Sequence, residues 1–259
     1  MRSWVILGVA GAMILSAAGA RAGNPTPGLP PTLRVLAAAD EMPEMFSFEE
    51  KGSPGFEREL LEGFCRVHGL RMEVVQVQAF DRLIPMLLDG QGDVITGIID
   101  TPARRQRVAF SSEILPGRHL AVARRPRPAP RTAELLGLRV GVIPGTSWEQ
   151  AAVDAGVPDA NRVGFPDTNA VLAGLSTGRV DAVVMDLVDF ALAQKHDPEL
   201  VAGVFLGAVT SGAFAARPGD TRLLAALNSY LQGTRQAQHA LVFRYLSADA
   251  LSLIALARE

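Results

Sequence analysis

The sequence predicts an α/β protein built from two similar halves. Three observations carry that expectation. Apolar runs of strand length alternate with amphipathic stretches of helix length, the pattern of parallel sheets covered by helices. The pattern restarts midway: "LLDGQGDVITG" (87–97) and "LSTGRVDAVVM" (175–185) both run helix, glycine, acid, apolar strand. Finally, 259 residues with 48% hydrophobic side chains supply core for one large domain or two ordinary ones.

The chain begins with Arg2, then the small-residue apolar run "WVILGVAGAMILSAAGA" (4–20) and Ala20-Arg21-Ala22, the small-x-small spacing of a cleavage site. Residues 1–22 therefore read as a signal peptide, too short and too broken by glycine for a spanning helix. "GNPTPGLPPT" (23–32) has no periodicity and reads as a flexible leader. The only cysteine, Cys65, lies far beyond the cleavage point, so neither a lipid-anchored N-terminus nor an internal disulfide is expected.

"LRVLAAAD" (33–40) is a buried strand ending in an acid. In "GFERELLEGFCRVHGL", Phe56, Leu60, Leu61, Phe64 and Val67 share one helical face, and Gly69 stops the helix. "RMEVVQVQ" alternates as a strand, "FDRLIPMLLDG" is a short helix and "DVITGII" a strand, giving βαβαβ. After the Pro/Arg-rich "ARRPRPAPRT" (123–132), "RTAELLG" is a short helix and "LRVGVIPGTSWEQAAVDAG" is strand, tight turn, helix. "NRVGFPD", "TNAVLAGLSTG", "RVDAVVMD" and "LVDFALAQKH" read strand, helix, strand, helix. "GAFAARPGDTRLLAALNSYLQG" gives one more strand and a long helix, and the tail from Ala240 is helical in pattern.

Charge and motifs exclude several functions. The net charge is −2, and −4 without Arg2 and Arg21, which disfavours nucleic acid. His68, His119, His196 and His239 have no metal spacing, and neither a Gly-x-Ser-x-Gly elbow nor a phosphate loop occurs, so no metal and no cofactor is expected. Cys65 reads as a core thiol. Ligands of open α/β sheets sit beyond the carboxyl ends of strands and at domain junctions. That directs attention to Asp40, the stretch from Gly97 to Arg104, Gly145 to Ser147, and Asp186. "DTPARRQRVAFSS" (100–112) crowds Arg104, Arg105 and Arg107 into four positions. Either this is a wet turn, or one arginine turns inward to hold an anion.

"FDRLIPMLLDGQGDVITGIIDTPARRQRVAFS" resembles the signature region of the family 3 periplasmic solute-binding proteins, which include polar-amino-acid receptors of ABC importers. The matching residues are Phe80, Asp81, Ile84-Pro85, Leu88, Gly90, Asp93, Thr101, Arg104, Phe110 and Ser111. "GVIPGTSWEQ", "GRVDAVVMD" and "GAFAARPGDTRLLAALN" are similar to three further family segments in the same order, so the resemblance spans roughly residues 33 to 245. It implies the two-lobe periplasmic binding protein type II fold, each lobe a mixed, mostly parallel sheet flanked by helices. Lobe 1 would comprise 33–118 and 213–259, and lobe 2 residues 119–212.

The resemblance also implies roles. Arg104 would grip a ligand carboxylate, with a surface salt bridge as its alternative; Arg105 and Arg107 would be solvated. Asp186 would receive the ligand ammonium, or simply cap the following helix, and Asp189 would be an exposed helix residue. Thr146 and Ser147 would meet the carboxylate from lobe 2, or serve as a plain helix cap. The Gly97 carbonyl would meet the ammonium, Phe80 would face the ligand side chain or lie in the core, and Asp40 and Phe46 would wall the pocket. Glu41 and Glu44 would be contacts for a basic ligand. Ile99 stands where the family usually has Ser or Thr, and Asp100 follows where an apolar residue is usual; one neutral donor is lost and a charge gained. The function implied is capture of a small carboxylate-bearing ligand, in the first place an amino acid, in the periplasm and delivery to an ABC permease in the inner membrane. The alternatives are a sensing or accessory periplasmic module, such as the domains fused to lytic transglycosylases, and a dehydratase on the same scaffold.

Overall fold

The computed structural model describes residues 26–128 and 130–256. The signal-peptide reading of residues 1–22 lies outside the described residues. The part of the expected flexible leader that lies among the described residues is tied to the fold. Thr26 Oγ1 lies 2.7 Å from His68 Nδ1, Leu29 packs on the core, and Thr32 already opens the first strand.

The first half is β1 (Thr32–Ala38), α1 (Phe56–His68), β2 (Arg71–Val77), a 3-10 turn (Phe80–Arg82) running into α2 (Leu83–Leu88), and β3 (Val94–Asp100). β1 lies between β2 and β3 and is parallel to both, so the expected βαβαβ unit forms. Gly69, at φ 65, ends α1 in the left-handed turn that glycine adopts without strain. Asp93 locks the entrance to β3. Its Oδ2 accepts from the backbone N and Nε of Arg34 in β1, and its Oδ1 accepts from Arg34 Nη2 and, at 3.2 Å, from Arg217 Nη2. The motif acid at this position is thus a clamp within the fold.

α3 (Pro102–Arg105) and β4 (Ala109–Phe110) lead into β5 (Leu115–Arg124). The second half follows as α4 (Thr132–Leu135), β6 (Val140–Val142), α5 (Ser147–Asp154), β7 (Arg162–Gly164), α6 (Thr168–Ser176), β8 (Ala182–Asp186) and α7 (Leu187–His196). β9 (Leu200–Ala216), α8 (Thr221–Gly233) and α9 (Arg235–Leu256) complete the described chain.

The described strands form one mixed sheet in the order β2-β1-β3-β9-β5-β8-β6-β7, with β4 beside β9. The antiparallel ribbon β5–β9 joins the halves, and the boundaries expected at 118/119 and 212/213 fall inside its two strands. This ribbon was not foreseen. Pro116-Gly117 opens β5, while Gly203, Gly207 and Gly212 interrupt the alternation of β9.

Each half has its own core. In the first, Leu33, Phe64, Leu227 and Leu246 pack under α1, α8 and α9, and Leu36, Leu87 and Ile95 fill the opposite sheet face. In the second, Leu120, Val140, Val183 and Phe190 pack together. α7 serves both: Val188, Ala191 and Leu192 join the first cluster, and Leu187, Phe190 and Ala193 the second. Full burial of one such Leu or Phe contributes about 1.5–3 kcal/mol.

Candidate functional site

A cavity of roughly 880 Å³, its open mouth included, lies between the halves at the carboxyl ends of β1, β3, β6 and β8. Arg104, Asp186, Thr146, Ser147, Gly97, Phe80 and Asp40 all line it. The arginine-rich turn therefore resolves into three different side chains. Thr101 caps α3 by accepting from Arg104 N at 3.3 Å, and Pro102 occupies the first helical position. That short capped helix turns Arg104 inward. Its Nη1 donates to Ile99 O at 2.8 Å and its guanidinium lies 5.2 Å from the Phe80 ring centroid. It forms no ion pair with any described residue, and burial lowers its pKa to about 10. Arg105 turns outward and pairs with both oxygens of Asp100 at 2.6 Å, and Arg107 is exposed. The charge of Asp100, unusual at this place, is thus neutralised away from the cavity, while Ile99 presents an apolar wall to it.

α5 supplies the opposite wall. Thr146 caps it, accepting from Glu149 N at 3.4 Å, and donates its own hydroxyl proton inward to Ile143 O at 2.6 Å. The Thr146 hydroxyl is therefore committed to the turn. The donors that α5 leaves toward an anion are the first-turn N–H groups of Ser147 and Trp148, which have no intrahelical acceptor. The Ser147 hydroxyl lies 2.9 Å from Nε2 of buried His119. Burial, helped by the charge of Arg104, pulls that imidazole down to about 4, so it stays neutral and fixes the Ser147 rotor.

Asp186 ends β8 and caps α7. Its Oδ1 accepts from Val188 N at 3.0 Å; its Oδ2 is buried, has no hydrogen-bond partner, and rests against Gly117, where a Cβ would come within 2.9 Å. The helix-cap reading of Asp186 accounts for one oxygen, and the other is left without a partner among the described residues. Desolvation pushes its carboxyl up to about 7. Gly97 has φ +65 and sits where the β3–β9 register slips, a bulge that glycine permits. A Cβ there would collide with Glu41 Oε2, so the glycine makes room for a carboxylate.

Other placements depart from expectation. Phe46 is fully buried in the first core and stacks near Phe48 at 5.4 Å between centroids. It does not line the cavity, because the turn after β1 points it toward α1; Met42 and Met45 from the same loop take the wall instead. Asp40 lines the cavity but spends Oδ2 on Thr168 N, at 2.9 Å, at the start of α6. Glu44 reaches toward His196 rather than the cavity, at 3.3 Å. Asp189, expected to be exposed, faces the cavity from α7. Glu57 was overlooked: it lies on the apolar face of α1, buried, where Gly97 N donates to its Oε2 at 2.6 Å and Thr96 Oγ1 donates to the same oxygen. Desolvation raises Glu41, Glu57 and Asp189, Glu41 and Asp189 to well above the usual carboxylate range, with mutual repulsion adding for these two. The chain offers no group of His, Cys, Asp or Glu arranged to hold a metal among the described residues, where also no helix is long and apolar enough to cross a membrane.

Comparison with known proteins agrees with this architecture. ArgBP from T. maritima, in a mutant crystal form, is 29% identical, covers 84% of this chain and 96% of its own, and superposes with a TM-score of 0.74. The ancestral amino acid-binding protein AncCDT-1, a precursor of cyclohexadienyl dehydratase, is 26% identical over 83% of this chain and 96% of its own, with a TM-score of 0.75. The membrane-bound lytic murein transglycosylase F of Pseudomonas syringae pv. syringae (strain B728a) is 27% identical over 210 residues, 77% of this chain. The chain spans only 41% of the length of that relative. The fold is the two-lobe type II fold of periplasmic binding proteins. Residues 33–243 match the sequence profile of a single family, and the chain belongs to it: the bacterial extracellular solute-binding proteins, family 3.

Proposed function

We propose that this protein captures an α-amino acid between its two lobes in the periplasm and delivers it to an ABC importer. One observation carries the reading. A half-buried guanidinium without an ion-pair partner among the described residues, Arg104, shares a cavity with a buried carboxylate oxygen, Asp186 Oδ2, that has no hydrogen-bond partner among them. Each is costly alone, and a ligand that brings one carboxylate and one ammonium relieves both. The planar fork of Arg104 suits two parallel bonds to a carboxylate. The first turn of α5, with Ser147 held by His119, adds donors for the same anion. Two solved relatives at 26–29% identity, an ancestral amino acid-binding protein and ArgBP, support the amino-acid class.

The test is a thermal-shift screen against amino acids and small organic acids, since a ligand that binds only the native form raises the melting point. At least one α-amino acid is expected to stabilise the protein. Arg104→Ala should keep the ligand-free melting point and lose the ligand-induced rise; an unchanged rise refutes the assignment.

One observation favours a second reading. Carboxyls whose proton affinity burial raises, Asp186 to about 7 and Asp189 well above the usual carboxylate range, are suited to donate a proton to a leaving group. Together with the likeness to a precursor of cyclohexadienyl dehydratase, this supports elimination from a cyclic carboxylic acid. Turnover of such acids by the purified protein decides between the two.

A further inference from the structure

The stretch "ARRPRPAPRT" (123–132) takes no part in the ligand cavity, yet it builds a second concavity. This groove, of roughly 1060 Å³ with its open mouth included, lies at the amino ends of β6 and β8. The ligand cavity lies at the carboxyl ends of the same strands. The five residues of β8 separate the two by roughly 17 Å at the usual strand rise. The groove therefore occupies the far pole of the second half. Four guanidiniums line it, those of Arg124, Arg125, Arg127 and Arg139, and among the described residues Asp181 is the only carboxylate that does.

The charges in the groove do not cancel. Asp181 binds two arginines at once, Arg139 through Nε and Nη2 at 3.0 and 2.9 Å and Arg127 through Nη2 at 2.6 Å. Arg124 is answered from the rim by Asp197 at 2.7 Å, with Glu199 attracting it from further off. Arg125 is exposed. Its backbone N–H donates to Glu199 O at 2.9 Å, while its side chain bonds to no described residue. Arg125 and one of the two guanidiniums on Asp181 are thus left without a counter-charge of their own. The groove is also held in shape. Pro126 and Pro128 fix φ on either side of Arg127, and Arg139 Nη2 donates to Gly178 O at 2.9 Å, which ties down the loop after α6. Guanidiniums set on such a frame lose less freedom when they meet a partner. Buried Leu175 and Val180 form an apolar floor.

We propose that this groove receives an extended acidic segment of a partner polypeptide, at a site separate from the ligand cavity. The concave shape and the mixed lining select that occupant. A polyphosphate or a flat bilayer of anionic headgroups would use the guanidiniums and leave Leu175, Val180 and both prolines without a complement. In an extended segment alternate side chains point to opposite faces, so one set meets the floor while carboxylates reach the arginines of the rim. Planar guanidiniums take carboxylates with two parallel bonds, and Arg125 can do so without breaking an ion pair. The groove shares no lining residue with the ligand cavity, so neither assignment depends on the other. A partner seated there would hold the protein whether or not its ligand is bound.

The experiment is fluorescence anisotropy on the full chain with a fluorescein-labelled peptide of Glu-Val-Glu-Ser repeats, and with its Gln-Val-Gln-Ser counterpart as the neutral control. The acidic peptide is expected to bind saturably below about 1 mM and at least about tenfold more tightly than the neutral one. Raising NaCl from about 50 to about 300 mM should weaken it at least about fivefold. Arg125→Glu should weaken binding about tenfold or more and leave the melting temperature unchanged, because Arg125 supports no described ion pair. Arg71→Glu makes the same change of net charge on an exposed residue of the first half and should leave binding unchanged, as should Arg104→Ala. Absence of saturable binding overturns the proposal. An equal loss in Arg71→Glu overturns it too, because the peptide would then feel only the overall charge. Loss in Arg104→Ala also overturns it, for the peptide would then sit in the ligand cavity. So does co-sedimentation with phosphatidylglycerol vesicles that Arg125→Glu abolishes and the acidic peptide does not compete, because the groove would then hold headgroups.

Discussion

Arg104 stays charged at any physiological pH although burial lowers it to about 10, and that permanence distinguishes it from the carboxylates across the cavity. Arg104→Lys keeps a cation but loses the fork; affinity for the bound amino acid should fall about 10–100-fold by calorimetry, and further for Arg104→Ala. At Gly97 a methyl group has two costs. It strains a backbone at φ +65, by about 1 kcal/mol or more, and it pushes Glu41 out of the cavity. Gly97→Ala should therefore lower the urea midpoint and weaken ligand binding together. Arg104 and Asp186 were legible in the sequence because each sits in a motif with a fixed offset from a strand end. Glu57 and Asp189 were not. An acid on a helix is read as exposed unless its face is known to be buried. α1 hides Glu57 on its apolar face, and α7 is covered on both sides, so it lacks the one-sided pattern that would have placed Asp189.

Among the helices, α7 packs into the cores of both halves, so both would feel its loss. Leu192 is fully buried in the first cluster while Phe190, two positions earlier, fills the second. Leu192→Ala should cost about 2–5 kcal/mol in urea unfolding, from lost transfer energy and the cavity left behind. A different clamp secures the start of β6. Asp181 accepts from Arg139 N and Nε at 3.0 Å, and Arg127 Nη2 adds a 2.6 Å bond. The Arg139 hydrogen bonds hold its carboxyl down at about 2 against an unfolded value of about 4. A depressed pKa means the unfolded chain binds the proton more readily. The stabilisation is thus present above about pH 4 and is lost as pH falls toward about 2. Denaturation from pH 5 down to pH 2 should show Asp181→Asn to be less stable at the upper end and the gap to close at the lower. The helices and parallel strands were readable from their period. The β5–β9 ribbon was not, because a strand that crosses between halves changes its buried face along its length and shows no sustained alternation.

For the whole molecule the balance of protonation has the opposite sign. Desolvation raises Asp186 to about 7, and Glu41 and Asp189 rise well above normal, so the folded ligand-free protein binds protons more tightly than the unfolded chain. That contribution is complete below about pH 4 and is lost as pH climbs through about 7 and beyond. The melting temperature without ligand should therefore decline between pH 5 and pH 8, by about 2–4 °C for each kcal/mol lost. A double variant Glu41→Gln, Asp189→Asn should flatten the decline. The lobes also touch without a ligand, through Asp40 to Thr168 N and Glu44 to His196. Two-lobed architecture was legible from the restarted pattern, but which loops meet across the gap depends on long-range packing that local periodicity does not record. One wall residue carries a last consequence. The chain has two tryptophans, Trp4 and Trp148, and Trp148 lines the cavity at the start of α5. In a Trp4→Phe variant its indole is the sole long-wavelength emitter, so occupancy of the cleft becomes readable as a change in intrinsic light emission with no dye attached.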